Sequence, residues 1–448
     1  MDGRRTQRGA QARGILRSTI TASWYAVGFA GAFILAASGT PARAQTNSPL
    51  LEPLLSQAGV GDYRALEIAI DRLTDPADAA VARAWVAASR LDLPAVRRAA
   101  RDYQASGDTN RRRAERLWSA VTGAAFADGN YALAAEAGLK WRQSANDAGE
   151  RADADNLLTL ASSLSQAPRQ SIARYAPEPW ITHYDQVGLL RAGMEINGHE
   201  AEAVLDTGAN LSTVSASRAT ALGLHFLDGV AEVGSSTRSA VPVRLALARR
   251  LELAGITLNN VVFLVLPDEH MALPVQDYRL DLIVGLPVFR AMERVTFARD
   301  GSLSASRSTG NRRLTNLRYR GSTLFVAAKF EGRSMWLHLD TGAPATSLGS
   351  RFAKENADAM SHLERRTIRV AGAGGVVNQQ TAIWPDATIE IDSAPAVLAA
   401  VPISMTPSSD TAASSYAGQI GLDVLRQYEN YTIDFLARRV HISPARRQ

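Results

Sequence analysis

The sequence predicts a multidomain protein: an N-terminal all-α helical-hairpin array followed by an all-β region of two lobes. Three observations carry this. Residues 48–166 are rich in Ala, Leu and Arg, with apolar positions at three- and four-residue steps, such as Leu66, Ala69, Ile70 and Leu73. After residue 180 the apolar pattern changes to alternation, as in Ala201, Ala203 and Leu205. The same short motif then occurs twice, as Asp206-Thr207-Gly208-Ala209 and as Asp340-Thr341-Gly342-Ala343.

The first segment, 1–44, reads as an export signal. Arg4, Arg5, Arg8, Arg13 and Arg17 precede an uncharged stretch from Ile20 to Ala37, and Ala42-Arg43-Ala44 provides a small-residue cleavage site. The apolar core from Trp24 to Ala37 is short for a span of about 20 residues, so a membrane anchor is the second reading. The expected location is the periplasm, with secretion or membrane anchoring as alternatives. Of 49 basic and 44 acidic residues, six arginines and one acid fall in 1–44, so residues 45–448 carry 43 of each. That balance provides no field for a nucleic-acid partner. The absence of cysteine excludes a disulfide scaffold, a thiolate metal site and a cysteine nucleophile.

Residues 45–166 form the helical domain. Asp75-Pro76 and Leu93-Pro94 mark helix starts, while Gly59–Asp62, Gly107–Asn110 and Asp128-Gly129-Asn130 mark turns, giving six or seven helices. Trp118, Gly129, Tyr131 and Ala134 fall at spacings that resemble a tetratricopeptide repeat, without its final proline. This array is either a structural cap or a surface for a protein partner. Residues 167–182 lose periodicity and read as a linker.

Residues 183–303 and 317–446 form the two lobes, joined by an interlobe linker at 304–316. The copies match beyond the motif. Gly198 and Gly332 each lie eight residues before their Asp. Ile283-Val284-Gly285-Leu286 lies downstream in the first copy, and Gln419-Ile420-Gly421-Leu422 in the second, with glycine offsets of 79 and 81 from Asp206 and Asp340. Each Asp is placed just past a strand, in a glycine-containing loop. The expectation is an internal duplication. The Ser-containing basic stretch Arg299–Arg320 reads as solvated linker.

The repeat resembles the pepsin and retropepsin superfamily of aspartic proteases, and the Ala-ended motif is closest to the retropepsin-like bacterial branch. The resemblance implies an acid-protease-like bilobal fold and an aspartic endopeptidase acting on peptide or protein substrates. It implies Asp206 and Asp340 as catalytic residues, with Thr207, Gly208, Ala209, Thr341, Gly342 and Ala343 supporting them. Gly234, Ser235, Gly372 and Gly374 are expected in flaps, without the flap tyrosine of pepsins. Ala209 and Ala343 replace the hydroxyl common in pepsins, which implies a rate optimum from mildly acidic to near neutral. Gln419 departs from the expected apolar residue and is expected to loosen the second lobe's core, and Pro344 is a further departure. His338 is expected on the strand's other side or at a lobe edge, with no role. Neither a metal nor an organic cofactor is expected, since the seven histidines include no H-E-x-x-H spacing. The alternative function is a non-catalytic envelope scaffold, a pseudoprotease binding peptides or partners through the lobes and the helical domain.

Overall fold

The computed structural model describes residues 25–27, 51–233, 241–272, 278, 280–308, 310, 315–372, 375–406 and 416–444. Segment 1–44, expected to be an export signal, lies outside these residues except for a strand at Tyr25–Val27, and so do Gly234, Ser235 and Gly374.

Seven α-helices occupy 51–164: α1 (Leu51–Ala58), α2 (Arg64–Ala69), α3 (Pro76–Ala88), α4 (Leu93–Ala105), α5 (Arg111–Ala127), α6 (Tyr131–Ser144) and α7 (Ala148–Leu164). Their starts are written in the sequence. Asp75, Asp92, Asn110, Asn130 and Asp147 each accept from backbone N–H groups of the first turn, satisfying donors that a helix leaves unpaired. Trp118, Tyr131 and Ala134 are buried where α5 and α6 meet. Arg113 lies within 3.1 Å of Asp75, Asp78 and Asp108, tying the start of α5 to that of α3.

The β region follows as two lobes. In the first, the strands Leu190–Ile196 and His199–Leu205 form a hairpin, and Val204 and Leu205 pair in parallel with Ile283 and Val284. In the second, Thr323–Phe330 and Arg333–Leu339 form the matching hairpin, and His338 and Leu339 pair in parallel with Gln419 and Ile420. The inward residues Ala203, Leu205 and Val284, and likewise Leu337, Leu339 and Ile420, are fully buried. A sheet shared between the lobes joins them: Asn430–Asp434 at the C-terminus pairs with Arg294–Ala298 of the first lobe, next to Ser302–Ser306 and Trp180–Tyr184.

Three expectations are corrected. The segment 167–182 is not a plain linker: Ser171–Tyr175 is a strand paired with Ile256–Asn259, and Trp180 opens the interlobe sheet. Its side chains are largely exposed, so no alternation betrayed it; the neighbouring backbone recruits it as an edge. The interlobe linker 304–316 is shortened at its start by the strand Ser302–Ser306, and within the basic stretch Arg299–Arg320 the strand Leu317–Arg320 holds Arg318 and Arg320 buried rather than solvated. Arg318 is covered by the helical domain, where it pairs with Glu67 at 2.8 Å. Gln419 does not enter the second lobe's core. It lies on the opposite strand face from the fully buried Ile420 and is half-buried there.

Candidate active site

Each motif aspartate follows a strand that ends in a buried leucine. The peptide N–H of Asp206 donates to the carbonyl of Val284 at 3.0 Å, and that of Asp340 to the carbonyl of Ile420 at 3.1 Å. The chain then turns through Gly208 or Gly342. The turn N–H groups point back at the carboxylate: Gly208 and Ala209 donate to Asp206 Oδ1 at 2.7 and 3.0 Å, and Gly342 donates to Asp340 Oδ1 at 2.9 Å. One oxygen of each carboxyl is thereby fixed.

The threonines lock the two loops together. Thr207 N–H donates to Thr341 Oγ1 at 2.9 Å, and Thr341 N–H donates to Thr207 Oγ1 at 3.1 Å. The same hydroxyls donate onward, Thr207 to the carbonyl of Leu339 and Thr341 to that of Leu205. Each hydroxyl thus both accepts and donates across the lobe boundary, and all four groups are buried.

Close approach explains the glycines. A Cβ added at Gly208 would lie 2.5 Å from Asp340 Oδ1 and 2.7 Å from its Cγ; one added at Gly342 would lie 2.5 Å from Asp206 Oδ1. Each loop passes over the carboxyl of the other lobe, which leaves no room for a side chain.

Both carboxyls are fully buried. Asp206 is pushed well above the usual carboxylate range by burial first and by the charge of Asp340 second, against the donors Gly208 and Ala209. Asp340 is also pushed up by burial, against Gly342 and Ala343. The outer oxygens, Asp206 Oδ2 and Asp340 Oδ2, meet no donor among the described residues. The two carboxyls stand close: a Cβ added at Gly208 would meet Asp340 Oδ1 at 2.5 Å and Asp206 Oδ1 at 3.1 Å, and two ionised acceptors so placed repel each other. A single shared proton gives one of them a hydrogen to donate. The pair therefore titrates as a unit.

A supporting layer was missed by the sequence reading. Gly285 N–H donates to Ser212 Oγ at 3.1 Å, and Gly421 N–H donates to Thr346 Oγ1 at 2.9 Å. Leu286 and Leu422 donate to the carbonyls of Ala209 and Ala343 at 2.9 and 2.8 Å. The turn after the apolar-Gly motif therefore buttresses each aspartate loop in the same way. Ser212 and Thr346 both stand six residues after their aspartate, a hydroxyl repeat legible in the sequence. Asp423 adds bonds in the second lobe alone, accepting from Thr346 N–H and Oγ1. Pro344 packs beside Gly188 of the first lobe. His338 is buried against the rings of Phe325 and Tyr416, on the strand face away from the lobe core, and burial holds its imidazole down at about 4. Of the four residues expected in flaps, only Gly372 is described. It ends the strand Glu364–Gly372 and pairs with Gly375, so a hairpin stands at that position.

Among the described residues there is no cluster of three or more His, Asp or Glu able to hold a metal ion. No helix among them is long and apolar enough to cross a membrane.

A search of curated proteins returns no match. Among solved structures, a retropepsin-like aspartic protease from Rickettsia conorii is similar at 14% identity and a TM-score of 0.20, over 31% of this chain and 93% of that one. A family model described as Aspartyl protease matches residues 192–288, the part of the first lobe holding Asp206 and Gly285.

Proposed function

We propose that the protein is an aspartic endopeptidase that hydrolyses extended peptides with water activated between Asp206 and Asp340. The observation that carries this reading is the pair of fully buried carboxyls, each overlain by the other lobe's glycine and each presenting one oxygen without a donor. Amide hydrolysis needs water made nucleophilic and a carbonyl made electrophilic. With one proton on the pair, the ionised carboxylate takes a proton from water as its oxygen attacks the carbonyl carbon. The protonated partner gives its proton to the carbonyl oxygen. The tetrahedral diol then collapses: the C–N bond breaks, the amine nitrogen leaves with the proton held by the first carboxyl, and a diol hydroxyl returns its proton to the second carboxyl, restoring one proton on the pair. Such positioned transfers contribute roughly 10²–10⁴-fold, and like-charge proximity keeps the single proton on the pair.

The matched bonds around Ser212 and Thr346 support an internal duplication as the origin of the two lobes. We propose further that residues 1–44 export the chain, so that its substrates are peptides or proteins outside the cytoplasm.

The test is incubation of the full-length protein with a mixed peptide pool, reading new termini by mass spectrometry. Cleavage by the parent, absent in Asp206→Asn and in Asp340→Asn, supports the reading. Equal product from all three proteins, or tight peptide binding with no product from any, rejects it.

A further inference from the structure

The helical domain contributes no residue to the dyad, yet it holds both lobes. On the first lobe, Arg290 lies in the helix Leu286–Ala291, directly after Gly285. Its guanidinium donates to the carbonyl of Ala127, the last residue of α5, and lies 3.9 Å from the Asp128 carboxylate. A cation at a helix C-terminus meets the unpaired carbonyls there. Beside it, Gln170 Nε2 donates to the carbonyl of Pro287 at 2.9 Å. On the second lobe, Tyr319 N–H donates to the carbonyl of Ser89 at the end of α3, at 2.9 Å, and Arg318 pairs with Glu67 of α2 at 2.8 Å. Gly123 of α5 rests on the turn at Gly321: an added Cβ would lie 3.2 Å from the Gly321 Cα.

These contacts converge on one side chain. Arg290 belongs to the first lobe, donates to α5, and lies over the ring of Tyr319 of the second lobe, 5.8 Å from its centroid. Helix α5 meets the second lobe at Gly123 and the first lobe at Ala127, about one helical turn apart on one rigid rod. Both contacts lead directly to the dyad. The Arg290 helix begins at Leu286, whose N–H bonds Ala209 of the Asp206 loop. The Tyr319 strand pairs with Thr323–Phe330, which pairs with Arg333–Leu339, whose next residue is Asp340.

We propose that the helical domain is a brace that sets the spacing of the lobes, and that Arg290 is its positioning residue for the dyad. This rests on the endopeptidase reading for its kinetic test and on geometry alone for its structural test. Carboxyl spacing governs both the hydrogen bond between the acids and the repulsion that separates their titrations. A misplacement of about 1 Å can cost about 10²-fold in rate.

The experiment uses the full chain with Arg290→Ala, Arg290→Lys and Gly123→Leu, the last a wedge between α5 and the Gly321 turn. We expect Arg290→Ala to lower kcat about tenfold with KM within about twofold, and to bring the two limbs of the pH–rate profile closer together. Arg290→Lys, which keeps a donor and a cation, restores most of the rate; Gly123→Leu reproduces the loss. A second readout needs no activity. The chain has no cysteine, so Glu200→Cys with Lys354→Cys places one spin label on an exposed position of each lobe. The distance distribution is narrow in the parent and broadened by Arg290→Ala. Unchanged kcat, pH limbs and distance distribution in Arg290→Ala overturn the brace, even if the melting temperature falls. If the parent proves inactive on peptides, the endopeptidase reading fails while the distance distribution still decides the brace.

Discussion

Replacing Gly208 by alanine tests the packing of the two loops most sharply. The added Cβ would lie 2.5 Å from Asp340 Oδ1, whereas ordinary contact begins at 3.4 Å, so the carboxyl or the loop must retreat by about 0.9 Å. Nothing nearby yields easily, because the loop is held by the Thr207–Thr341 bonds and the carboxyl by Gly342 N–H. Gly208 does not require the left-handed backbone region, so the cost is steric rather than conformational. Overpacking of this kind costs about 1–3 kcal/mol of stability, and a shift near 1 Å costs about 10²-fold in rate. The assay is kcat/KM on a peptide cleaved by the parent, with a thermal melt alongside. Gly342→Ala serves as the twin and Gly193→Ala, with open space around it, as the control. Gly208→Ala retaining a rate within threefold of the parent would show that the loops do not approach as described.

Thr341→Val removes a hydroxyl that donates to Leu205 and accepts from Thr207 N–H, leaving two buried backbone groups unpaired; at about 1–3 kcal/mol each, thermal melting should fall clearly, while Thr341→Ser should stay near the parent. Both dyad carboxyls are raised in the folded protein, so their contribution to stability is fully present below the ordinary carboxylate range and lost as pH rises through the raised values; denaturant titrations from pH 4 to 9 should show this fall, reduced in Asp340→Asn. Glu150 behaves likewise: burial first and Glu115 second push it up to about 8, so Glu150→Gln should flatten the loss of stability as pH rises through 8. Arg113→Ala leaves the buried Asp78 carboxylate without its partner, and a loss of about 3–5 kcal/mol should appear in urea unfolding; a loss under 1 kcal/mol would contradict the role of that ion cluster.

The aspartates were legible because two copies of one motif constrain each other, and the glycines because a close loop crossing requires them. The helix starts were legible because Asp75, Asp92 and Asn130 are local signals that the structure uses as caps. What escaped depends on contacts distant in sequence. Arg318 and Arg320 read as solvated because charge predicts exposure, and only the docked helical domain reverses that. Ser171–Tyr175 lacks strand periodicity because one neighbouring backbone, not a buried face, makes it a strand. Gln419 read as a core defect because strand face is set by register, and its parallel pairing with His338 turns it outward. Ser212 and Thr346 were visible as a repeat, but their bonds to Gly285 and Gly421 span 73 and 75 residues.

Whether two facing acids share one hydrogen ion is read by carbon-detected titration of the aspartate carboxyls in the intact protein. A shared proton requires two widely separated steps that both report on Asp206 and Asp340, with one step above the ordinary carboxylate range, and collapse of that separation when either residue becomes asparagine. Two independent titrations near the ordinary aspartate value of about 3.9 would contradict it.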